Sequence, residues 1–165
     1  MAKRRYPEGQ ALQISDLRDC PQFFDTVADR VWRAWWQPNG HAREKVSSGL
    51  REMMAGKPIP FALVSRDGDE YLGSALGIAS DLAERPQYSP WVAAVWVEPQ
   101  HRLKTVGRAI VGRAAQCCFE RGFTRVYLCS SPERWNFYTR QGWEPIEHAV
   151  GPGNQTVYVQ ESKSR

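Results

Sequence analysis

The sequence predicts a mixed α/β domain of the α+β kind, with elements in the order β-α-α-β-β-β-α-β-α-β-β. Three observations carry that expectation. The chain has 165 residues, the length of one domain able to bury a sizeable core. Apolar residues recur at helical spacing in some stretches and alternate, or run without interruption, in others. Gly, Pro and Asn mark the switches between these patterns, and no stretch has the composition of a linker, so residues 1–165 read as a single domain.

Each element has its own justification. Residues 11–15 (Ala-Leu-Gln-Ile-Ser) alternate and predict a short strand. Pro21 suits a first helical position, and Phe24, Val27, Val31 and Trp35 repeat at helical spacing until Pro38-Asn39-Gly40 stops the helix. A second helix over about 41–54 keeps Val46, Leu50 and Met53 on one face and closes at Gly56. Strands at 61–65 and 71–78 flank Asp67-Gly68, a hairpin signal. A polar loop with two prolines spans 81–90. Residues 91–97 (Trp-Val-Ala-Ala-Val-Trp-Val) are apolar throughout, which predicts a strand buried on both faces near the middle of a sheet, ended by Pro99. A helix over 105–121 turns Val106, Ile110, Ala114 and Cys117 inward and is capped by Gly122. A strand follows at 124–129. Ser131, Pro132 and Glu133 then suit the N-cap and first turn of a short helix ending at Gly142. Two strands, 143–150 and 155–160, flank the turn Gly151-Pro-Gly-Asn154.

Bulk composition narrows the function classes. The chain is 42% apolar and 24% charged, a globular balance. Its basic start, Met1 to Arg5, has no apolar stretch behind it, so no secretory signal is expected; no run approaches the length of a membrane span. The four cysteines, at 20, 117, 118 and 129, lack zinc spacing, so no metal is expected and reduced thiols in a cytoplasmic protein are. The net charge of +4 is low for nucleic-acid binding, and the basic segment lacks interleaved aromatics. Charge is nonetheless segregated. Six Lys/Arg and one carboxylate lie between Pro99 and Arg125, whereas six carboxylates and one Arg lie between Asp67 and Glu98. That is either two solvated faces or an anionic ligand at one segment and a cationic one at the other.

The junction at 91–108 is where chemistry concentrates. A buried strand runs into a basic loop and then a helix start, whose first N–H groups have no partner within the helix. Arg102, Lys104 and Arg108 add charge, and Gly107 permits close approach of a ligand to backbone. Taken alone, this is equally a basic helix N-terminus.

The order of motifs from Pro90 to Ile146 resembles that of the GCN5-related N-acetyltransferase (GNAT) family. There a central strand runs into R/Q-x-x-G-x-G/A; here the strand is 91–97 and the loop is Arg102-Leu-Lys-Thr-Val-Gly107, with Leu103 and Thr105 in place of more usual residues. The strand 126–129, Ser131, and Phe137-Tyr-Thr-Arg-Gln-Gly-Trp143 follow in family order. The loop sequence from Asp81 to Trp91 looks like that of a bacterial subset with unassigned substrates. The resemblance implies a mostly antiparallel central sheet flanked by helices, and direct transfer of acetyl from acetyl-CoA to a primary amine of a small molecule or peptide. It also implies cofactor contacts. The backbone of Val95, Trp96 and Val97 would pair with the pantetheine arm. Arg102, Leu103, Lys104, Thr105, Val106, Gly107 and Arg108 would wrap the pyrophosphate. Ser131 stands where the family often has Asn, and is alternatively a plain N-cap.

Two proton-handling groups are required. Tyr138 falls where many members have a general acid to the CoA thiolate; its alternative is a core aromatic beside Trp135 and Phe137. The acceptor amine must lose a proton before it can attack. The strand 91–97 has no carboxylate to take it, which leaves Glu98 at its end and Asp81 and Glu84 in the preceding loop. Asp81 is the preferred base, with a turn cap as its other reading. His101 is expected at the surface, His41 and His148 without partners, and Cys129 as a small buried residue. Trp35 and Trp36 are candidate walls of the acceptor site, Trp32 and Trp91 core. The final strands offer an edge on which a homodimer would pair. The competing function is a non-catalytic acyl-CoA-binding sensor, which the altered loop favours and Tyr138 disfavours.

Overall fold

Alternation and apolar runs organise seven strands into one sheet. The computed structural model describes residues 12–102 and 105–163. Strand β1 (Gln13–Asp16) is followed by a helical stretch in several registers: a 3-10 turn at Pro21–Phe23, helix α1 (Phe24–Val31), a π-helical turn at Trp32–Trp36 and a 3-10 turn at Gln37–Asn39. Gly40 closes it at φ 77°, a left-handed conformation that costs glycine little. Helix α2 (Arg43–Met53) leads to β2 (Phe61–Asp67) and β3 (Glu70–Ile78), joined by a two-residue turn at Gly68–Asp69. Then come β4 (Trp91–Val97), α3 (Val106–Glu120), β5 (Arg125–Ser130), the short α4 (Trp135–Thr139), β6 (Glu144–Val150) and β7 (Gln155–Glu161). The element order is the expected one. The expected first strand begins at Ala11, which lies outside the described residues.

The strands lie in the order β1-β2-β3-β4-β5-β7-β6. All neighbouring pairs are antiparallel except β4 and β5. Helix α3 covers one face, burying Ile110, Val111 and Ala114 against Val92, Leu128 and Tyr158. The other face is divided. Over β2 and β3, α1 and α2 bury Val27, Val31 and Leu50 against Ala62, Val64 and Leu76. Over β5 and β7 there is no helix among the described residues. The loop 79–90 lies there instead, with Leu82 and Tyr88 against Trp91, Tyr127 and Val157. At about 1.5–3 kcal/mol for each large side chain fully removed from water, these faces supply the main drive for folding.

The loop is fastened at two points. The Arg85 Nε donates to both oxygens of Glu147 on β6 at 2.8 Å. The Tyr88 ring stacks on Tyr127, centroids 4.5 Å apart, and the Trp91 indole donates to the Tyr88 carbonyl at 2.6 Å. At the other edge of the site an ionic network ties α1 to the end of β4: Arg30 bonds Glu98 at 2.7 Å and Asp29 at 2.5 Å, and Arg33 bonds Asp29 at 3.0 Å.

Candidate active site

β4 occupies the centre of the sheet, as expected, but it is not buried along its whole length. Trp91, Val92 and Ala93 are buried, whereas Ala94 to Val97 are half-buried. The reason is the parallel pairing of β4 with β5. β4 and β5 meet at a single register, Trp91 opposite Tyr127, with the Tyr127 N–H donating to the Pro90 carbonyl at 3.0 Å. β5 then stays with β7 over its length, while β4 stays with β3. Beyond Trp91 the two strands diverge. Among the described residues, no strand pairs with the β5-facing edge of β4 there, which leaves that edge open to an extended ligand.

A bulge sharpens this edge. The β3–β4 register passes from Leu76 opposite Ala93 to Ser74 opposite Trp96, so two steps on β3 match three on β4. Ala94 absorbs the extra residue at φ 49°. The slip reverses the alternation of side chains. Val92 and Val95 face the α3 core, and Ala94 and Trp96 face α1 and α2.

The end of β4 delivers the chain to the start of α3. A 3-10 turn at Pro99–His101 leads to Arg102; Leu103 and Lys104 lie outside the described residues. Thr105 occupies the N-cap position, but with φ −77° and ψ −5°, and its side chain makes no capping bond. Threonine is a good N-cap residue type, but a helical backbone at this position turns the side chain away from the N–H groups it would cap. No acidic residue compensates the first turn of α3. Arg108 is exposed there. Gly107 lies between Val97 and Phe137. Arg102 folds back, its Nε donating to the Val97 carbonyl at 2.9 Å and its guanidinium 4.5 Å above the Trp96 ring.

Tyr138 approaches from α4. It is 7% exposed and packs against Tyr158, ring centroids 5.4 Å apart. Its hydroxyl has no hydrogen-bond partner among the described residues. Burial pushes the phenol up to about 12, against a lowering influence of Arg134. Ser131 stands at the N-cap of the 3-10 turn Pro132–Arg134 and contributes its carbonyl, to the Arg134 N–H at 3.1 Å. Its hydroxyl makes no capping bond, so its role as a plain N-cap is corrected too.

Asp81 does not cap a turn. Its Oδ2 accepts from the Cys129 thiol at 3.4 Å. The residue is exposed, yet neighbouring protein atoms partly desolvate its carboxyl. That desolvation raises its pKa above the ordinary carboxylate value, and the thiol's hydrogen bond opposes the rise. Cys129 is half-buried rather than a filler within the core, and burial and the Asp81 charge both push its thiol up. Sequence reasoning missed this pairing. Its signal was the alternation of β5, which puts Tyr127 and Cys129 on the face covered by the 79–90 loop.

The other candidates are accounted for elsewhere. Glu98 is committed to Arg30. The Glu84 carboxylate packs over Gly151. His101 is half-buried and 3.1 Å from Glu70 rather than simply at the surface. His148 has a partner after all, stacking on Trp135 at 5.4 Å, and His41 meets the Trp36 ring edge-on at 5.2 Å. Trp91 is core, while Trp32 is half-buried with its indole donating to the His41 carbonyl at 2.7 Å. Trp35 is exposed and meets Trp96 edge-on at 6.4 Å. All four cysteines are free thiols. Among the described residues no group of three or more His, Cys, Asp or Glu could hold a metal ion, and no helix is long and apolar enough to cross a membrane.

Comparison with known proteins bears on this geometry. The family model described as "Acetyltransferase (GNAT) family" matches residues 24–143. No curated protein matches the chain. Several solved structures share the fold at low identity. An aminoglycoside 6'-N-acetyltransferase complexed with coenzyme A superposes with a TM-score of 0.72 at 17% identity, over 93% of this chain and 99% of that one. The yncA protein from Salmonella typhimurium, with its cofactor acetyl-CoA, gives 0.68 at 15% identity over 94% and 96%. An acetyltransferase of the GNAT family from Staphylococcus aureus gives 0.66 at 12% identity over 93% and 100%.

Proposed function

Because this chain belongs to the acetyltransferase (GNAT) family, we propose that it transfers acetyl from acetyl-CoA directly to a primary amine of a small molecule or peptide. The observation that carries this reading is the divergence of β4 from β5 after Trp91, beside the N-terminus of α3. The residues present fit the cosubstrate. The free edge of β4 at Val95, Trp96 and Val97 offers backbone groups to an extended amide-bearing arm. The uncompensated first turn of α3, with Gly107 and Arg108, suits an anion. Ser131, directly after the end of β5, has a hydroxyl not used in capping.

Bound acetyl-CoA supplies an activated thioester; the chain supplies position and proton handling. Asp81 serves as the base that takes the amine proton at its carboxylate, and its raised pKa brings it closer to the amine than an ordinary aspartate. Tyr138 Oη remains protonated at every working pH and donates toward the departing sulfur. Complete transfer from a phenol at about 12 to a thiolate whose ordinary value is near 8.5 would be uphill by about 5 kcal/mol. The phenol therefore acts as a hydrogen-bond donor to the charge developing on the sulfur, and CoA leaves as the thiolate.

The test has two stages. Acetyl-CoA should raise the thermal midpoint of the protein, and a panel of amines should include some that trigger thiol release. Tyr138→Phe should slow that release about 10²-fold while leaving the thermal shift intact. A thermal shift with no amine-dependent release would favour the acyl-CoA sensor instead, and no shift at all would overturn both.

A further inference from the structure

We propose that Cys129 is a positioning residue for the base, its thiol holding the Asp81 carboxylate at the mouth of the β4–β5 gap. The proposal rests on the reading of Asp81 given above. The geometry is specific. Asp81 comes from a loop without regular structure, whereas Cys129 belongs to β5, where it pairs with Val157 of β7. The thiol donates to Asp81 Oδ2 at 3.4 Å and is the sole side-chain hydrogen bond to that carboxylate among the described residues. A carboxylate on a loop is free to rotate. One oxygen fixed by a donor on a rigid strand leaves the other aimed, with its lone pairs available for an amine proton.

The choice of a thiol over a stronger donor has a physical consequence. A charged partner would pull the carboxyl's affinity for protons down sharply and weaken it as a base; a thiol is a weak donor that orients without doing so. The surrounding charges leave this pair to itself. Arg85 is engaged by Glu147, and the Glu84 carboxylate packs over Gly151. Tyr138, which packs in the core on the α3 side of the sheet, has its phenol raised slightly further by the Cys129 thiol. Cys129 itself is no nucleophile here: burial and the Asp81 charge both oppose its ionisation.

The experiment reads the pair directly in the full-length chain and needs no knowledge of the acceptor. The Asp81 carboxyl carbon is titrated by NMR in wild type, Cys129→Ala and Cys129→Ser. Loss of the donor destabilises the carboxylate, so the Cys129→Ala midpoint should move to higher pH, with partial return in Cys129→Ser, whose shorter reach weakens the bond. In the reciprocal arm, Asp81→Asn should speed iodoacetamide alkylation of Cys129, followed by mass spectrometry, about tenfold or more, because the thiolate no longer faces a carboxylate. With any amine that supports turnover, Cys129→Ala should lower kcat/KM about tenfold and move its acid limb by the same amount as the Asp81 midpoint. An unmoved Asp81 midpoint, or an alkylation rate indifferent to Asp81→Asn, would overturn the proposal. Failure of the acetyltransferase reading would look different: wild-type protein would release no thiol with any amine.

Discussion

Gly73 on β3 lies directly against the carbonyl of Trp96 on β4; a Cβ at position 73 would stand 2.5 Å from that oxygen. The bulge at Ala94 is what presses the Trp96 carbonyl toward β3, and only a residue without a side chain accepts it. Gly73 and Ala94 are thus two halves of one device that shapes the open edge of β4. Gly73→Ala should cost about 1–3 kcal/mol, because the obstruction is backbone and cannot rotate away. A lowered denaturant midpoint with unchanged slope would register it.

Ala94 tests the same device from the other side. At φ 49° a β-branched residue is strained far more than alanine, and glycine is not strained at all. Ala94→Val should destabilise by about 1–2 kcal/mol and Ala94→Gly should be neutral or slightly stabilising. Equal losses in both variants would show that packing, and not the backbone, fixes this position.

The altered loop makes a separable prediction. Thr105 has a helical backbone, so glycine there relieves nothing, and Thr105→Gly should change acetyl-CoA affinity less than tenfold, or about 1.4 kcal/mol. Gly107 is different. A Cβ there would meet Phe137 at 3.4 Å and Val97 at 3.5 Å, ordinary contacts, so the fold alone does not demand glycine. Gly107→Ala should leave stability unchanged or raise it by up to about 1 kcal/mol, as alanine does within helices. On the binding mode proposed above it should nevertheless weaken acetyl-CoA more than tenfold, since the phosphates there approach the backbone of the first turn most closely at this position. Calorimetric titration alongside thermal unfolding separates the two effects.

These cases mark how far the sequence could be read. Element order was legible because each boundary carries its own local chemistry: Pro21, Gly40, Gly68, Gly122 and Gly142 act through their own dihedral angles. The centrality of β4 was legible from Trp91 to Val97, since only an interior strand tolerates seven apolar residues in a row. Its half-exposure was not. That depends on β5 departing with β7, a choice made by residues some sixty positions downstream. Caps failed for a related reason. Thr105 and Ser131 sit at cap positions, but Thr105 has a helical backbone that turns its side chain away, and Ser131, although extended, makes no capping bond, and residue type sets neither. The Asp81–Cys129 contact spans a sequence separation of 48 and joins a loop to a strand: the alternation of β5 gives the face Cys129 is on, but nothing local says which loop residue meets it.

The pH dependence of turnover follows from two shifts of the same sign. Asp81 must be ionised to accept the amine proton, and burial raises its pKa, so activity should fall with acid at a pH above the ordinary aspartate value of about 3.9. Tyr138 must stay protonated and titrates near 12, so it should impose no alkaline loss below about pH 10. The acceptor's own ionisation adds a further acid-side limb. Comparing two amines of different basicity identifies it, because that limb moves with the amine while the Asp81 limb stays. The stationary limb should vanish in Asp81→Asn; its survival there would remove Asp81 as the base.

The Arg85–Glu147 pair predicts an effect on function larger than on stability. Both side chains are about a quarter exposed, and exposed ion pairs contribute little to folding, so Arg85→Ala should barely move the unfolding midpoint. The same bond, however, fixes the loop that carries Asp81 to the edge strand β6. Releasing it lets the base wander, and a displacement of an ångström is costly for proton transfer. Arg85→Ala should therefore lower kcat/KM for the amine about tenfold, through kcat as well as KM, with acetyl-CoA affinity unaltered. Glu147→Gln should produce a similar loss by removing the same latch, and the double variant should be little worse than either single one. Additive losses would mean that the two residues touch catalysis by separate routes.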